Sequence, residues 1–440
     1  MSVKTRQDEQ ELHDLKNSRV KLPDIQVSER YKGLKVLGLV ADSSACGYYR
    51  VINPLHMLRM HGATVTYSTF HTADSFFTHD VIVVPRQHNP DVLEILKTAS
   101  FDGKLLVYEI DDDLDSVDPS SPAYMVYHNG SPELRLIPEF MYTCHGVTVT
   151  TPELARWYYQ NQQNVVVVEN HIDYSFRNWG ADVEWDQEGN PQIGLRPIEK
   201  PAHREGKISI LWSGGSTHQL DLEEIGPSVR AILQKYPNVL FCFYGSSQMC
   251  QDFIRRYNLP VDQVEAVSPR HFLDYPEGLH GFDIGLAPIH CSQFNLCKSF
   301  LRLEEYGAVG LASIASNVGP YTRFAKRHPG LVSLVGKGKD CFPNWTVAME
   351  YLIENPEERE RRKTAIREVI AQNYALEFNY HQWPMAWEAI YQQRAKGIIG
   401  PPADKQDKSW YKSYGRAGRN DLCPCGSGLK TKDCCVDAWG

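Results

Sequence analysis

The chain has 440 residues, 42% of them hydrophobic, and a formal net charge of −8, which is enough apolar material for two sizeable domains plus a tail. It holds no run of 18 apolar residues, which excludes a spanning helix, and MSVKTRQDEQELHDLKNSR is too charged for a signal peptide, so a cytoplasmic protein with no membrane partner is expected. Seven of the 11 cysteines are scattered singly, which suits a reducing compartment better than a disulfide framework.

Residues 1–32 read as an arm. From Lys35 the chain alternates between short apolar runs and helical stretches. The runs are KVLGLVA, ATVTYS, DVIVVP, KLLVYEI, GVTVT and NVVVVEN, and the first helix puts Val51, Leu55 and Leu58 on one face. Such runs are what a parallel sheet covered on both faces requires, and they define a first domain over 33–177. Residues 178–206 break the rhythm with Gly, Pro and charge and read as an insertion and linker. The alternation restarts at KISILWSG and continues through NVLFCFYG, FDIGLAPI and LASIAS, giving a second domain over 207–345. Helices follow over 346–398, with Ala365, Ile366, Val369 and Ile370 at helical spacing and Glu and Arg on the outer face. The fold class is α/β: two doubly wound domains whose strand ends face one cleft, where ligands of such sheets bind.

Four polar stretches stand at strand ends. DSSACGYYR (42–50) precedes the first helix, with Gly47 for close backbone approach and Arg50 at the helix start. WSGGSTHQLD (212–221) offers Gly214 and Gly215, whose amides suit a diphosphate, and Ser216, either a ligand contact or a helix cap. CSQFNLCKSFLRLEEYGAVG (291–310) sets Lys298 before a helix expected from about Ser299, with Glu305 two turns on. YEIDDDLDSVDPSSPAY (108–124) presents Asp111, Asp112 and Asp113 to the cleft, either for an acceptor hydroxyl or as an Asp-rich helix cap. His88 and His218 are single histidines in polar loops and read as positioning groups. Tyr275 and Phe272 read either as nucleobase-stacking rings or as buried aromatics.

The segment ending in IASNVGPY resembles the sugar-nucleotide site of retaining glycosyltransferases with the GT-B fold, two Rossmann-like domains, specifically the family-4 type. In the pattern K-x3-[KR]-x2-E-Y, Lys298, Arg302, Glu305 and Tyr306 match, as do Ala315, Ser316 and Gly319. That family carries a pair of glutamates eight positions apart; here the first position holds Cys297. The resemblance implies a donor of the UDP-glucose kind. Lys298, Arg302 and the Gly214–Gly215 amides would neutralise the departing diphosphate with no metal in the cleft. Glu305 would hold the ribose and Asp111 and Asp112 the acceptor. Ser216, Asn295, Ser299, Tyr306, Gly47 and Arg50 would complete the donor site, and transfer would proceed with retention.

The tail, 399–440, has two features. Residues 405–432 carry seven Lys/Arg against Asp407 and Asp421, a net of +5 that leaves −13 for the rest of the chain. With Trp410, Tyr411 and Tyr414 interleaved, this reads either as a nucleic-acid contact or as a solvated linker. Cys423, Cys425, Cys434 and Cys435 read as one closed tetrahedral zinc site of structural type. The run GRNDLCPCGSGLKTKDCC resembles the SEC-C zinc motif, C-x-C-x8-C-[C/H]. The whole combination is similar to glycosyltransferases of tailed phages, some of which sugar-coat hydroxymethylated pyrimidines in DNA. The acceptor so implied is 5-hydroxymethylcytosine in DNA, in the host cytoplasm. A protein or soluble glycan acceptor, or a binding protein that has lost transfer activity, are the alternatives.

Overall fold

The computed structural model describes residues 26–400 apart from 41–44, 69–71, 269, 271 and 399. Its first domain is built on six parallel strands: β1 (Lys35–Leu39), β2 (Thr64–Ser68), β3 (Val81–Pro85), β4 (Leu105–Ile110), β5 (Gly146–Val149) and β6 (Val165–Val167). They lie in the order β2-β1-β3-β4-β5-β6, and each falls on one of the six apolar runs. Every residue of β3 and β4 is buried, as strands covered on both faces must be. After β1 the chain winds through Ala45–Gly47 and a wide turn, Tyr48–Ile52, into α1 (Asn53–Met60). This helical stretch sits directly on the strand: a Cβ at Gly38 would stand 2.6 Å from Val51 and 2.7 Å from Leu55, so glycine sets the spacing.

The segment 178–206 contains an antiparallel hairpin, β7 (Ala181–Trp185) and β8 (Pro191–Leu195), which the linker reading did not anticipate. The second domain is also six-stranded and parallel: β9 (Ile208–Ser213), β10 (Val239–Tyr244), β11 (Val264–Val267), β12 (Ile284–Ala287), β13 (Ala312–Ser316) and β14 (Val332–Val335). The order is β11-β10-β9-β12-β13-β14, so the four expected strands form the centre and the two unexpected ones are the edges. Chain direction across the sheets reverses between β1 and β3 and between β9 and β12. At such points the flanking connections part and leave a crevice.

Past β12 come α2 (Gln293–Cys297) and α3 (Leu301–Ala308), and after β14 the long α4 (Pro356–Asn373). Ile366 and Ile370 of α4 are buried as expected, but Arg359 and Arg362 are buried too, correcting their placement on the outer face. Arg359 Nη1 donates to the carbonyl of Leu352 at 2.6 Å. Arg362 Nη1 donates to Ser333 Oγ at 2.8 Å, and its Nε pairs with Glu358. The last helix, α5 (Gln382–Ala395), packs on the first domain, with Trp383, Trp387 and Ile390 in one core with Val51 and Leu55. Its Ile390 carbonyl accepts from Asn164 Nδ2 at 2.9 Å. Among the described residues no helix is long and apolar enough to cross a membrane.

Candidate active site

The carboxyl ends of the two sheets enclose a cleft of about 700 Å³. Lys298, Ser299, Arg302 and Glu305 line it from the second domain, with Gly214 and Gly215; Asp111 and Asp112 line it from the first. Local sequence explains the cationic side. Ser292 caps α2 by accepting from the Asn295 N–H, α2 ends at Cys297, and Lys298 takes an extended backbone (φ −63, ψ 155). α3 therefore begins at Leu301, two residues later than expected, and Lys298 stands in the junction with its ammonium 4.4 Å from the Phe294 ring centroid. One turn of α3 then brings Arg302 Nε to 3.5 Å from Glu305 Oε2.

Lys298 Nζ reaches across the cleft to Asp112 Oδ1 at 3.3 Å, while Asp111 Oδ1 stands 3.5 Å from Arg86 Nε. Glu305 is 6% exposed and accepts from two phenols, Tyr49 of the first domain at 3.0 Å and Tyr275 of the second at 3.1 Å. Burial pushes both phenols up, and the Glu305 charge adds to it, so they stay protonated donors. Tyr275 and Phe272 both line the cleft. Tyr275 stacks on Tyr244 at 5.4 Å, and Phe272 stacks on Tyr48 at 4.1 Å.

Several expected site residues support the cleft without lining it. Tyr306 is fully buried, accepting from the Ser213 N–H at 3.1 Å and donating to the Leu286 carbonyl at 3.2 Å. Asn295, 2% exposed, donates to Asp221 Oδ1 at 3.2 Å and to the His290 carbonyl at 3.0 Å. Gly47 is buried, and its neighbours Ala45 and Cys46 face the cleft instead. Arg50 is a correction. It is 2% exposed and pairs with Glu109 at 2.8 Å, with its Nη1 on the Val168 carbonyl at 2.8 Å and on Asn170 Oδ1 at 3.0 Å; it knits the first domain together. The placement of Asp113 on the cleft is also corrected. It is 0% exposed and burial pushes its carboxyl up to about 7. Cys297, at the position of the first family glutamate, is 1% exposed with its thiol pushed up by burial, so this position does not line the cleft. The Ser216 side chain and the four tail cysteines lie outside the described residues.

Reading the sequence missed a cluster behind the glycine turn. His218 Nδ1 lies 2.8 Å from Asp221 Oδ2, and Asp221 Oδ1 lies 2.7 Å from His290 Nδ1 and accepts from the His290 N–H at 2.9 Å. Burial opposes it, yet these hydrogen bonds hold the Asp221 carboxyl well below the usual carboxylate range. The His218–Asp221 spacing of three residues is a signal in the sequence; His290 lies 69 positions on and gives none.

Three solved structures are similar to this one in fold. A glycosyltransferase from Rickettsia africae ESF-5 is 11% identical with a TM-score of 0.56, covering 82% of this chain and 99% of its own. Anabaena HepE in complex with UDP is 12% identical with a TM-score of 0.52 (81% and 99% covered). Sucrose-phosphate synthase from Thermosynechococcus elongatus is 11% identical with a TM-score of 0.51 (82% and 99%). The fold is GT-B. Identities this low carry the architecture of the GT-B cleft alone. The SEC-C motif description matches residues 419–435, a span that includes all four tail cysteines. No curated protein matches the chain in sequence.

Proposed function

We propose that the chain is a glycosyltransferase that moves a sugar from a nucleoside diphosphate donor with retention at the anomeric carbon. The observation that carries this is the convergence of Lys298, Arg302 and the Gly214–Gly215 turn on one wall of the cleft, with Asp111 and Asp112 on the other. The cations and amides would hold the diphosphate and neutralise the charge that grows on it as the glycosidic bond breaks, a stabilisation specific to the transition state. Glu305, fixed by Tyr49 and Tyr275, keeps lone pairs for the two ribose hydroxyls. The Lys298–Asp112 pair is partly solvated, with side-chain exposures of 22% and 20%, and such pairs are worth about 0–1 kcal/mol, so a diphosphate displaces Asp112 readily. Freed, Asp112 is placed to orient an acceptor hydroxyl.

Retention rests on the state of the cleft carboxylates. Asp111 pairs with Arg86 and Glu305 with two phenols and Arg302, so both are already engaged by donors, and Asp112, once the diphosphate has displaced it from Lys298, is assigned to the acceptor hydroxyl and not to the sugar carbon. Attack on the face the diphosphate leaves, with its oxygen taking the acceptor proton, needs no further base. For the acceptor we propose the hydroxymethyl group of 5-hydroxymethylcytosine in DNA, on the basis of the likeness to phage enzymes and the basic, aromatic tail. Cys423, Cys425, Cys434 and Cys435 would supply the four thiolates of a structural zinc, which would fold the tail module and leave no open coordination position.

Two measurements test the reading. Incubation with UDP-glucose, ADP-glucose and GDP-mannose should release nucleoside diphosphate slowly from one of them; tight binding with no release would instead make the chain a binding protein. Mass analysis of 5-hydroxymethylcytosine DNA treated with enzyme and that donor should show one added hexose per modified base, and the anomeric proton coupling in the NMR spectrum of the product nucleoside should show α linkage from an α-linked donor. Donor turnover with unmodified DNA mass would remove the DNA acceptor and leave the donor site standing.

A further inference from the structure

His218 lines the cleft beside Gly214 and Gly215, and its side chain keeps 24% of its surface exposed. Its Nδ1 is taken by Asp221 at 2.8 Å, and Asp221, 3% exposed and ionised, is an acceptor only. Nδ1 therefore carries a proton, which leaves Nε2 as the ring's remaining polar atom. Among the described residues no protein group is hydrogen-bonded to Nε2. A histidine whose inner nitrogen is fixed by a carboxylate is held in one tautomer and one orientation, with its outer nitrogen available for work.

We propose that His218 binds the donor diphosphate through Nε2 and takes up one proton from water as it does so. The inference rests on the nucleotide-sugar reading of the cleft. In the free protein burial pulls the imidazole below its ordinary value, the Asp221 hydrogen bond pulls it up, and the charges of Lys298 and Arg302 push it down again. The ring is therefore neutral near pH 7.5. A diphosphate brings two negative charges to the wall formed by Lys298 and Arg302, cancels their repulsion of an imidazolium and offers Nε2 an acceptor. Protonation then follows: an O–H bond of hydronium, or an N–H bond of the protonated buffer amine, breaks and leaves its electron pair behind, one N–H bond forms at Nε2, and no oxidation state changes. When the sugar departs, the imidazolium already faces the oxygen on which the third charge appears.

The other groups facing His218 fit this role. Asp221 lies on the following turn and is tied to His290, which it raises, and Tyr124 is the titratable side chain of the Pro122–Met125 turn packed against Ser216–His218. Glu224, whose carboxylate accepts from Ser316 Oγ at 3.4 Å, is pushed up to about 7 by desolvation of its carboxyl and then by the Asp221 charge, so it is the competing proton site in the same pH range.

The test is calorimetric titration of the full-length protein at pH 7.5 in HEPES and in Tris, whose ionisation enthalpies differ and neither of which carries a phosphate that could occupy the site. UDP-glucose is the probe, with ADP-glucose and GDP-mannose as substitutes if it does not bind. Their phosphates do not titrate near neutrality, so any proton exchanged belongs to the protein. We expect uptake of about half to one proton per donor bound, and affinity that falls by up to about tenfold per pH unit as pH rises from 6 to 8.5. His218→Gln should abolish the uptake and flatten the pH dependence. Equal enthalpies in the two buffers with the wild-type protein overturn the proposal without recourse to any variant. Uptake that persists in H218Q also overturns it, and assigns the proton to Glu224 or His290. Binding with no uptake leaves the donor site intact and removes only His218; failure of all three sugars to bind removes the donor reading and this inference with it.

Discussion

Glu305 is held by phenols from both domains, whereas Lys298 reaches a partly solvated aspartate, and the two residues should fail differently when removed. Lys298→Ala leaves no buried group unpaired, so the melting temperature should stay within about a degree, since surface changes cost little. Its kcat/KM for donor should fall at least ~30-fold, about 2 kcal/mol of transition-state stabilisation. Glu305→Ala should lose as much activity and stability besides. It leaves the buried Tyr49 hydroxyl without its acceptor, at about 1–3 kcal/mol, whereas the Tyr275 hydroxyl faces the cleft and keeps Ser213 Oγ at 3.4 Å. Nucleoside diphosphate release and a thermal melt on each variant separate the two effects, and undiminished release in K298A would dismiss the cationic wall. Asp113 supplies a pH dependence. Burial raises its carboxyl from 3.8 to about 7, so between those values the folded chain binds more protons than the unfolded one. Its contribution to stability is therefore complete below about pH 4 and drains away as pH rises to about 7. Asp113→Asn removes that titration: the melting temperature should rise at pH 8 relative to wild type and change little at pH 4, and the reverse order would show that Asp113 is ionised in the fold.

At the scale of elements, the spacing between β12 and α3 decides whether Arg302 and Glu305 face the cleft. Gly285 sets that spacing: a Cβ there would stand 2.5 Å from Tyr306 Cδ2 and 2.9 Å from Cε2. The Tyr306 ring has no freedom to yield, since its hydroxyl is bonded to Ser213 and Leu286. Gly285→Ala should cost about 1–3 kcal/mol through overpacking and weaken donor binding by tilting α3; an unchanged melt would show that the helix can slide. Continuous apolar runs made the central strands legible. The edge strand β11 was not, because one of its four residues is Glu265, which binds the buried Arg204 through Nε at 2.9 Å. In β14, Ser333 interrupts the run for the sake of Arg362. The β7–β8 hairpin does alternate in burial, but only half of it faces the core, and Gly, Pro and charge hide the period. The same division governs the site. Lys298, Arg302 and Glu305 lie within eight positions and were readable as a unit. Tyr49 meets Glu305 across 256 positions, and Arg50 was drawn away from the cleft by Glu109, 59 positions later. Pairings set by tertiary contact leave no periodic trace.

For the molecule as a whole the question is where the tail is rooted. Gly400 accepts from the Gln163 N–H at 2.9 Å, just before β6, which is the amino end of the first sheet and the end away from the cleft. The 40 residues beyond it span at most ~130 Å if fully extended, so length alone permits contact with DNA lying across the cleft mouth. On the proposed DNA reading, a basic segment anchored there would act as a tether that raises the local concentration of DNA. Deleting 401–440 should therefore raise KM for 5-hydroxymethylcytosine DNA several-fold while kcat and donor hydrolysis hold, because the residues proposed to carry the transfer, Lys298, Arg302, Glu305, Asp111 and Asp112, belong to the two sheet domains. The slope of log affinity against log salt should become shallower by about 0.9 for each DNA phosphate that the tail no longer neutralises. Seven cationic side chains between 405 and 432 set the upper bound on that change. An unaltered slope with an unaltered KM would mean that the tail's charge never meets DNA. A body of net charge −13 would then have to hold a polyanion through its cleft alone, which argues for an uncharged or differently charged acceptor.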